Sequence, residues 1–156
     1  MMFIIVHTDK CTEIARRIAG EFEDSRLVPV NSVLSDPEIL GDFDSLGLVY
    51  EREGKDLPES VRTFIKTVLS EYDLSGLQYM FSVCVCDGGP AHALKIVEKF
   101  CARVGCAPSL STTIRPDASE QDIAVLVSKI KSGEIQLAKG SLGTMWYMKA
   151  HGIKVK

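Results

Sequence analysis

An α/β fold built on a five-stranded parallel sheet is predicted by two periodicities that alternate along the chain. Short β-branched apolar runs are each followed by segments carrying apolar residues at helical spacing. Strand-then-helix repetition implies right-handed crossovers, which place helices on both faces of a buried sheet as a three-layer sandwich. The 156 residues, 46% of them hydrophobic, suit one domain that buries about two-thirds of its unfolded surface without a disulfide or metal staple.

Residues 3–6 read as a buried strand, and 12–22 as a helix with Ile14, Ala15, Ile18, Ala19 and Phe22 on one face and Thr12 as its N-cap. Residues 27–30 read as a short second strand, Asp36-Pro37-Glu38 as a turn or short helix, and 46–50 as the third strand. The charged stretch 51–56 breaks the pattern. A helix over 58–72 follows, with Val61, Phe64, Ile65, Val68 and Leu69 inward, and then a strong strand over 77–85. A Gly88-Gly89-Pro90 turn leads into a helix over 91–104, with Leu94, Val97 and Cys101 inward. Residues 109–114 form the fifth strand, and 119–131 a helix announced by Ser119, Glu120, Gln121 and Asp122. The domain is therefore expected over 1–133.

Beyond Gly133 the periodicity fails. Residues 134–156 mix Leu137, Leu142, Met145, Trp146, Tyr147 and Met148 with three glycines. They read as a segment packing its aromatic cluster on the domain, with a homodimerisation arm or a ligand lid as alternatives.

Net charge of −3 with scattered Lys and Arg argues against a nucleic-acid footprint, which needs a face that neutralises several phosphates. Five cysteines, an odd number, read as reduced thiols of a cytoplasmic protein. The opening run Met1–Val6 lacks a basic flank and is too short for a signal peptide, and no run approaches the ~20 apolar residues of a membrane span.

In a doubly wound sheet, ligand loops lie at the carboxyl ends of the strands, around the point where strand order reverses. Three loops qualify: His7-Thr8-Asp9-Lys10-Cys11-Thr12, the stretch from Tyr50 and Glu51 to Leu57, and Cys86-Asp87-Gly88-Gly89 leading to Ala91. The third joins a strand directly to a helix start, where unpaired amides and the helix dipole favour anionic or polar ligand atoms.

Through Thr12-Glu-Ile-Ala15, Leu46-Gly-Leu-Val-Tyr50, Leu57-Pro58 and above all Cys86-Asp-Gly-Gly-Pro-Ala-His-Ala-Leu94, the chain resembles the flavodoxin family over residues 3–133. It is most similar to the flavodoxin-like domains that precede ferredoxin domains in proteins of anaerobes. The resemblance implies strand order 2-1-3-4-5 and an FMN site. Its contacts would be His7, Thr8, Asp9, Lys10, Cys11 and Thr12 at the phosphate, Tyr50 and Glu51 beside the ring, and Cys86, Asp87, Gly88 and Gly89 at its pyrimidine edge. The first loop departs from the family pattern in having no glycine and in carrying Asp9, and the second is heavily charged where apolar and aromatic residues are usual.

Other readings of single residues are plainer. Cys84 and Cys86, two apart on a strand, share a face and read as packing residues, as do Cys101 and Cys106; a nucleophilic Cys86 lacks a base beside it in sequence. His7 and His92 with nearby thiols lack metal-ligand spacing. Tyr50 and Glu51 stand where a receiver domain would place its phosphoacceptor aspartate. No Cys-rich cluster for an iron–sulfur centre follows residue 133.

The leading expectation is FMN-binding electron transfer to a partner such as a ferredoxin or a reductase, without catalytic side chains of the chain's own. The alternative, favoured by the departures in the first two loops, is a flavodoxin-like domain that has lost FMN and serves as a binding or interaction module.

Overall fold

The computed structural model describes residues 2–88, 92–138 and 149. Gly89, on which one cofactor contact was expected, and most of the segment beyond 138 lie outside the described residues. Five strands, β1 (Phe3–His7), β2 (Ser25–Pro29), β3 (Ser45–Glu51), β4 (Tyr79–Val85) and β5 (Leu110–Ile114), form one sheet in the order β2-β1-β3-β4-β5. Every pairing is parallel. This is the fold class and strand order expected from the sequence.

Side chains alternate between two cores, as the period of a pleated strand requires. On one face Ile4, Val6, Leu46, Leu48, Tyr50, Met80, Cys84 and Cys86 pack under α2 (Val30–Ser35), α3 (Glu59–Thr63) and α4 (His92–Arg103). On the other, Phe3, Ile5, Val49, Phe81, Val83 and Val85 pack under α1 (Thr12–Ala19) and α5 (Glu120–Lys131). The three central strands are buried almost throughout, whereas edge strand β2 is mostly half-buried. Pro29 ends β2 at that edge, where a missing N–H costs no central ladder bond.

Several local expectations are corrected. The second strand covers 25–29 rather than 27–30, and Val30 begins a six-residue helix that the sequence reading missed. That helix, Val-Asn-Ser-Val-Leu-Ser, is poor in strong helix formers and is held by burial of Val30 and Val33. Thr12 is the first residue of α1 rather than its cap; Cys11 precedes it in a 3-10 turn over Asp9–Cys11, and α1 ends at Ala19. The helix expected over 58–72 is three pieces: α3, a π-helical turn at Phe64–Val68 and a 3-10 turn at Leu69–Glu71. The widened turn still buries Phe64, Ile65, Val68 and Leu69. α5 starts as read, with Ser119 and Asp122 forming a reciprocal capping box.

After α5 the chain returns along the sheet edge. Gln136 pairs in parallel with Leu110, exchanging backbone bonds with Ser109 and Ser111 at 2.8 and 2.7 Å. The Tyr79 hydroxyl donates to the Glu134 carbonyl at 2.9 Å, and the Ala138 N–H donates to buried Glu98 on α4 at 2.9 Å. Among the described residues, no helix is long and apolar enough to cross a membrane.

Candidate functional site

The loops at the carboxyl ends of β1, β3 and β4 meet because β3 lies beside β1 and β4 beside β3. His7 pairs with Val49 and Glu51 with Val85, and the Thr8 N–H extends the β1–β3 ladder to the Val49 carbonyl at 3.1 Å. This register sets Thr8 next to Glu51, although 43 residues of chain separate them.

Glu51 closes the first loop. Side chains of β3 alternate, and Glu51 shares the α1–α5 face with Val49. Its carboxylate accepts a hydrogen bond from the Thr8 hydroxyl and a second, at 3.3 Å, from the Cys11 thiol. Thr8 and Cys11 are both buried. Burial pushes the Cys11 thiol up to about 12, and the adjacent Glu51 carboxylate adds to the shift.

Several other groups of the loop are also bonded internally. The Cys11 N–H donates to the Thr8 carbonyl at 3.1 Å, and the Thr12 N–H and hydroxyl both donate to the Asp9 carbonyl, the hydroxyl at 2.9 Å. Buried His7 sets Nδ1 2.8 Å from the Thr8 carbonyl and 3.4 Å from Thr12 Oγ1. The Asp9 carboxylate accepts from the Asn31 amide at 3.4 Å, while Lys10 is exposed.

Most of the first loop's donors are committed within the protein. A phosphate loop works through unpaired amides and hydroxyls around an anion. Here the amides of Thr8, Cys11 and Thr12 and both threonine hydroxyls already have acceptors, and a carboxylate takes the hydroxyl and thiol bonds. Magnitudes point the same way. A helix N-terminus favours an anion by roughly 0.3–1 kcal/mol, whereas two like charges about 4 Å apart repel by about 4 kcal/mol at an effective dielectric of roughly 20.

Tyr50 does not line the crevice. It is wholly buried on the opposite face from Glu51, its hydroxyl 2.7 Å from that of Ser82, so its ring belongs to the core. Burial pushes its phenol well above the usual range. Cys86 is buried in the same core as Cys84, which matches the shared face read from their spacing; burial pushes the Cys84 thiol up to about 12. The Cys86 N–H donates to the Ile114 carbonyl at 3.0 Å.

Asp87 and Gly88 are exposed beyond it, and Gly88 takes a φ of 121° that only glycine adopts freely. The hydrogen bond and charge of Asp117 raise the Arg115 guanidinium above its ordinary range, with Asp87 adding a smaller part.

The second loop forms a tight turn that the sequence reading did not identify. Glu53 and Asp56 exchange both backbone bonds at 2.9 Å around Gly54-Lys55, with Gly54 at φ 62°. Asp56 caps the chain by accepting from the Leu57 N–H at 2.7 Å and pairs with Arg62 on α3. Arg52, Gly54 and Lys55 face His92 and Ala93 of α4 across a cavity of about 320 Å³. The Gly54-Lys55 pair was the available signal, since Gly followed by a polar residue favours a two-residue turn.

Among the described residues, no group of three His, Cys, Asp or Glu side chains could hold a metal ion, and all five thiols are free and buried.

No family model matches the chain, and no curated protein matches it. Solved structures do. The flavodiiron core of Flv1 from Synechocystis is 13% identical at a TM-score of 0.61; the match covers 96% of this chain but 36% of that one. Flavodoxin 1 from Bacillus cereus is 21% identical over 81% of this chain and 92% of its own, at a TM-score of 0.60. A flavodoxin from Fusobacterium nucleatum, solved bound to flavin mononucleotide, is 12% identical over 84% and 96%, at a TM-score of 0.57. The chain thus spans about a third of the flavodiiron protein and nearly the whole of each flavodoxin. With the sheet order and helix layers above, these likenesses establish that the chain has the flavodoxin-like fold.

Proposed function

We propose that this chain is a flavodoxin-fold binding module whose first loop does not take an FMN phosphate. The observation that carries the reading is the Glu51 carboxylate bonded to Thr8 and Cys11, where the family's loop would offer donors to an anion. An internal carboxylate stabilises the loop with no ligand present and repels a phosphate brought to it. Burial of Tyr50 in the core supports the same reading, because it withholds a ring face from the crevice.

The second reading is FMN-linked electron transfer with a ferredoxin or reductase as partner. It draws on the fold and on the left-handed conformation of Gly88, which leaves backbone accessible at the end of β4.

One experiment separates the two. The purified full-length chain is examined by absorption and titrated with FMN while flavin fluorescence is followed. The binding-module reading expects a colourless protein without saturable quenching, and Glu51→Ala gaining measurable FMN affinity over wild type. Flavin bands near about 370 and 450 nm, or saturable micromolar binding by wild type, overturn it in favour of electron transfer.

A further inference from the structure

We infer that the cavity between the Gly54-Lys55 turn and α4 binds a small phosphate-bearing ligand through Arg52, Lys55 and His92. This rests on the binding-module reading, since it places the anion at the second loop instead of the first. The cavity of about 320 Å³ is lined by a guanidinium, an ammonium and an imidazole, with the remaining described lining supplied by Gly54 and Ala93. That volume falls at the small end of the range used for ligand sites.

The surrounding charges explain why these cations are available. The loop 51–56 carries three carboxylates, enough to neutralise Arg52 and Lys55 if they faced them. Two of them are engaged elsewhere. Glu51 turns to Thr8 and Cys11 on the α1 side of the sheet, and Asp56 is held by Arg62 and the Leu57 N–H. Glu53 exchanges backbone bonds with Asp56 and is not among the residues lining the cavity. Neither Arg52 nor Lys55 makes an ion pair with a described residue.

The chemistry selects the ligand class. A guanidinium presents a planar fork of donors that matches phosphate oxygens, an ammonium adds a point charge, and an imidazole supplies an N–H donor. Gly54 at positive φ lets the turn remain tight, with nothing within 4 Å of where a Cβ would stand. A volume of this size suits a small molecule better than an extended chain.

The test is a pyrophosphate titration of the full-length chain followed by 1H–15N NMR, with FMN titrated in parallel. Saturable shifts at residues 52–56 and 92–93 are expected. The dissociation constant should rise roughly tenfold or more in Arg52→Ala/Lys55→Ala, as loss of charge-assisted bonds requires. Arg52→Lys, which keeps the charge, should lose less, and Lys66→Ala on the neighbouring helical surface should leave binding unchanged.

Absence of saturable shifts with pyrophosphate overturns the phosphate site, and with FMN also failing to bind it leaves the binding-module reading standing. Pyrophosphate shifts centred on residues 8–12, or FMN binding there, overturn both. Shifts at 52–56 that persist in the double variant overturn the assignment to Arg52 and Lys55.

Discussion

The ring of Phe81 occupies the space in which a side chain at Gly47 would stand. The two residues are register partners on β3 and β4, and a Cβ built at Gly47 would lie 2.2 Å from the end of the ring. Phe81 is wholly buried, so its ring has no free path aside. Gly47→Ala should therefore destabilise the fold by about 1–3 kcal/mol or more, and adding Phe81→Leu should recover part of the loss. Urea midpoints of the single and double variants measure both; an unchanged midpoint for Gly47→Ala would contradict the packing.

Tyr50 and Ser82 form a buried polar pair inside the apolar core under α4, with 2.7 Å between their hydroxyls. Tyr50→Phe leaves the Ser82 hydroxyl without that partner and should cost about 1–3 kcal/mol. Removing both hydroxyls, in Tyr50→Phe/Ser82→Ala, should cost less than the sum of the single losses. A double-mutant cycle in urea reads the coupling, and strict additivity would show the bond contributes nothing.

Alkaline pH should weaken the fold. The Cys11 and Cys84 thiols, ordinarily near 9.0, and the Tyr79 phenol, ordinarily near 10.0, are each pushed up to about 12, chiefly by burial. The folded state therefore holds protons that the unfolded chain has released. Their contribution is fully present below pH 9 and is lost as pH rises from about 9 towards 12. Thermal midpoints should be flat from pH 7 to 8.5 and fall beyond 9. At pH 8 the buried thiols should react with a disulfide reagent only upon unfolding.

The start of α5 depends on one reciprocal pair. The Asp122 N–H donates to the Ser119 hydroxyl at 3.1 Å, and the Ser119 N–H donates to the Asp122 carboxylate at 3.0 Å. Ser119→Ala should cost about 1 kcal/mol, and Ser119→Thr should keep most of it. Hydrogen exchange at the first turn of α5 should accelerate in the alanine variant; unchanged protection would remove the cap from the account of this helix.

What the sequence determined by itself is the local pattern. Spacing of two put Cys84 and Cys86 on one face of their strand, and helical spacing placed Ile14, Ile18 and Val97 inward, as the cores show. Both patterns are legible because burial repeats with the geometry of each element. Val30–Ser35 was not, because six residues of weak propensity carry too little periodicity and depend on tertiary burial.

The site was legible only as a set of loops. A carboxylate at 51 gives no sign in sequence of whether it will face solvent, a ligand or Thr8. That was decided when β3 paired with β1 in the register His7 to Val49, which set Glu51 on the side of α1 and Tyr50 on the side of α4. The pairing of β3 with β4 brought Arg52 and Lys55 opposite His92. Polar partners across a sheet depend on register and on the alternation of the pleat, which are properties of the assembled strands rather than of any segment alone.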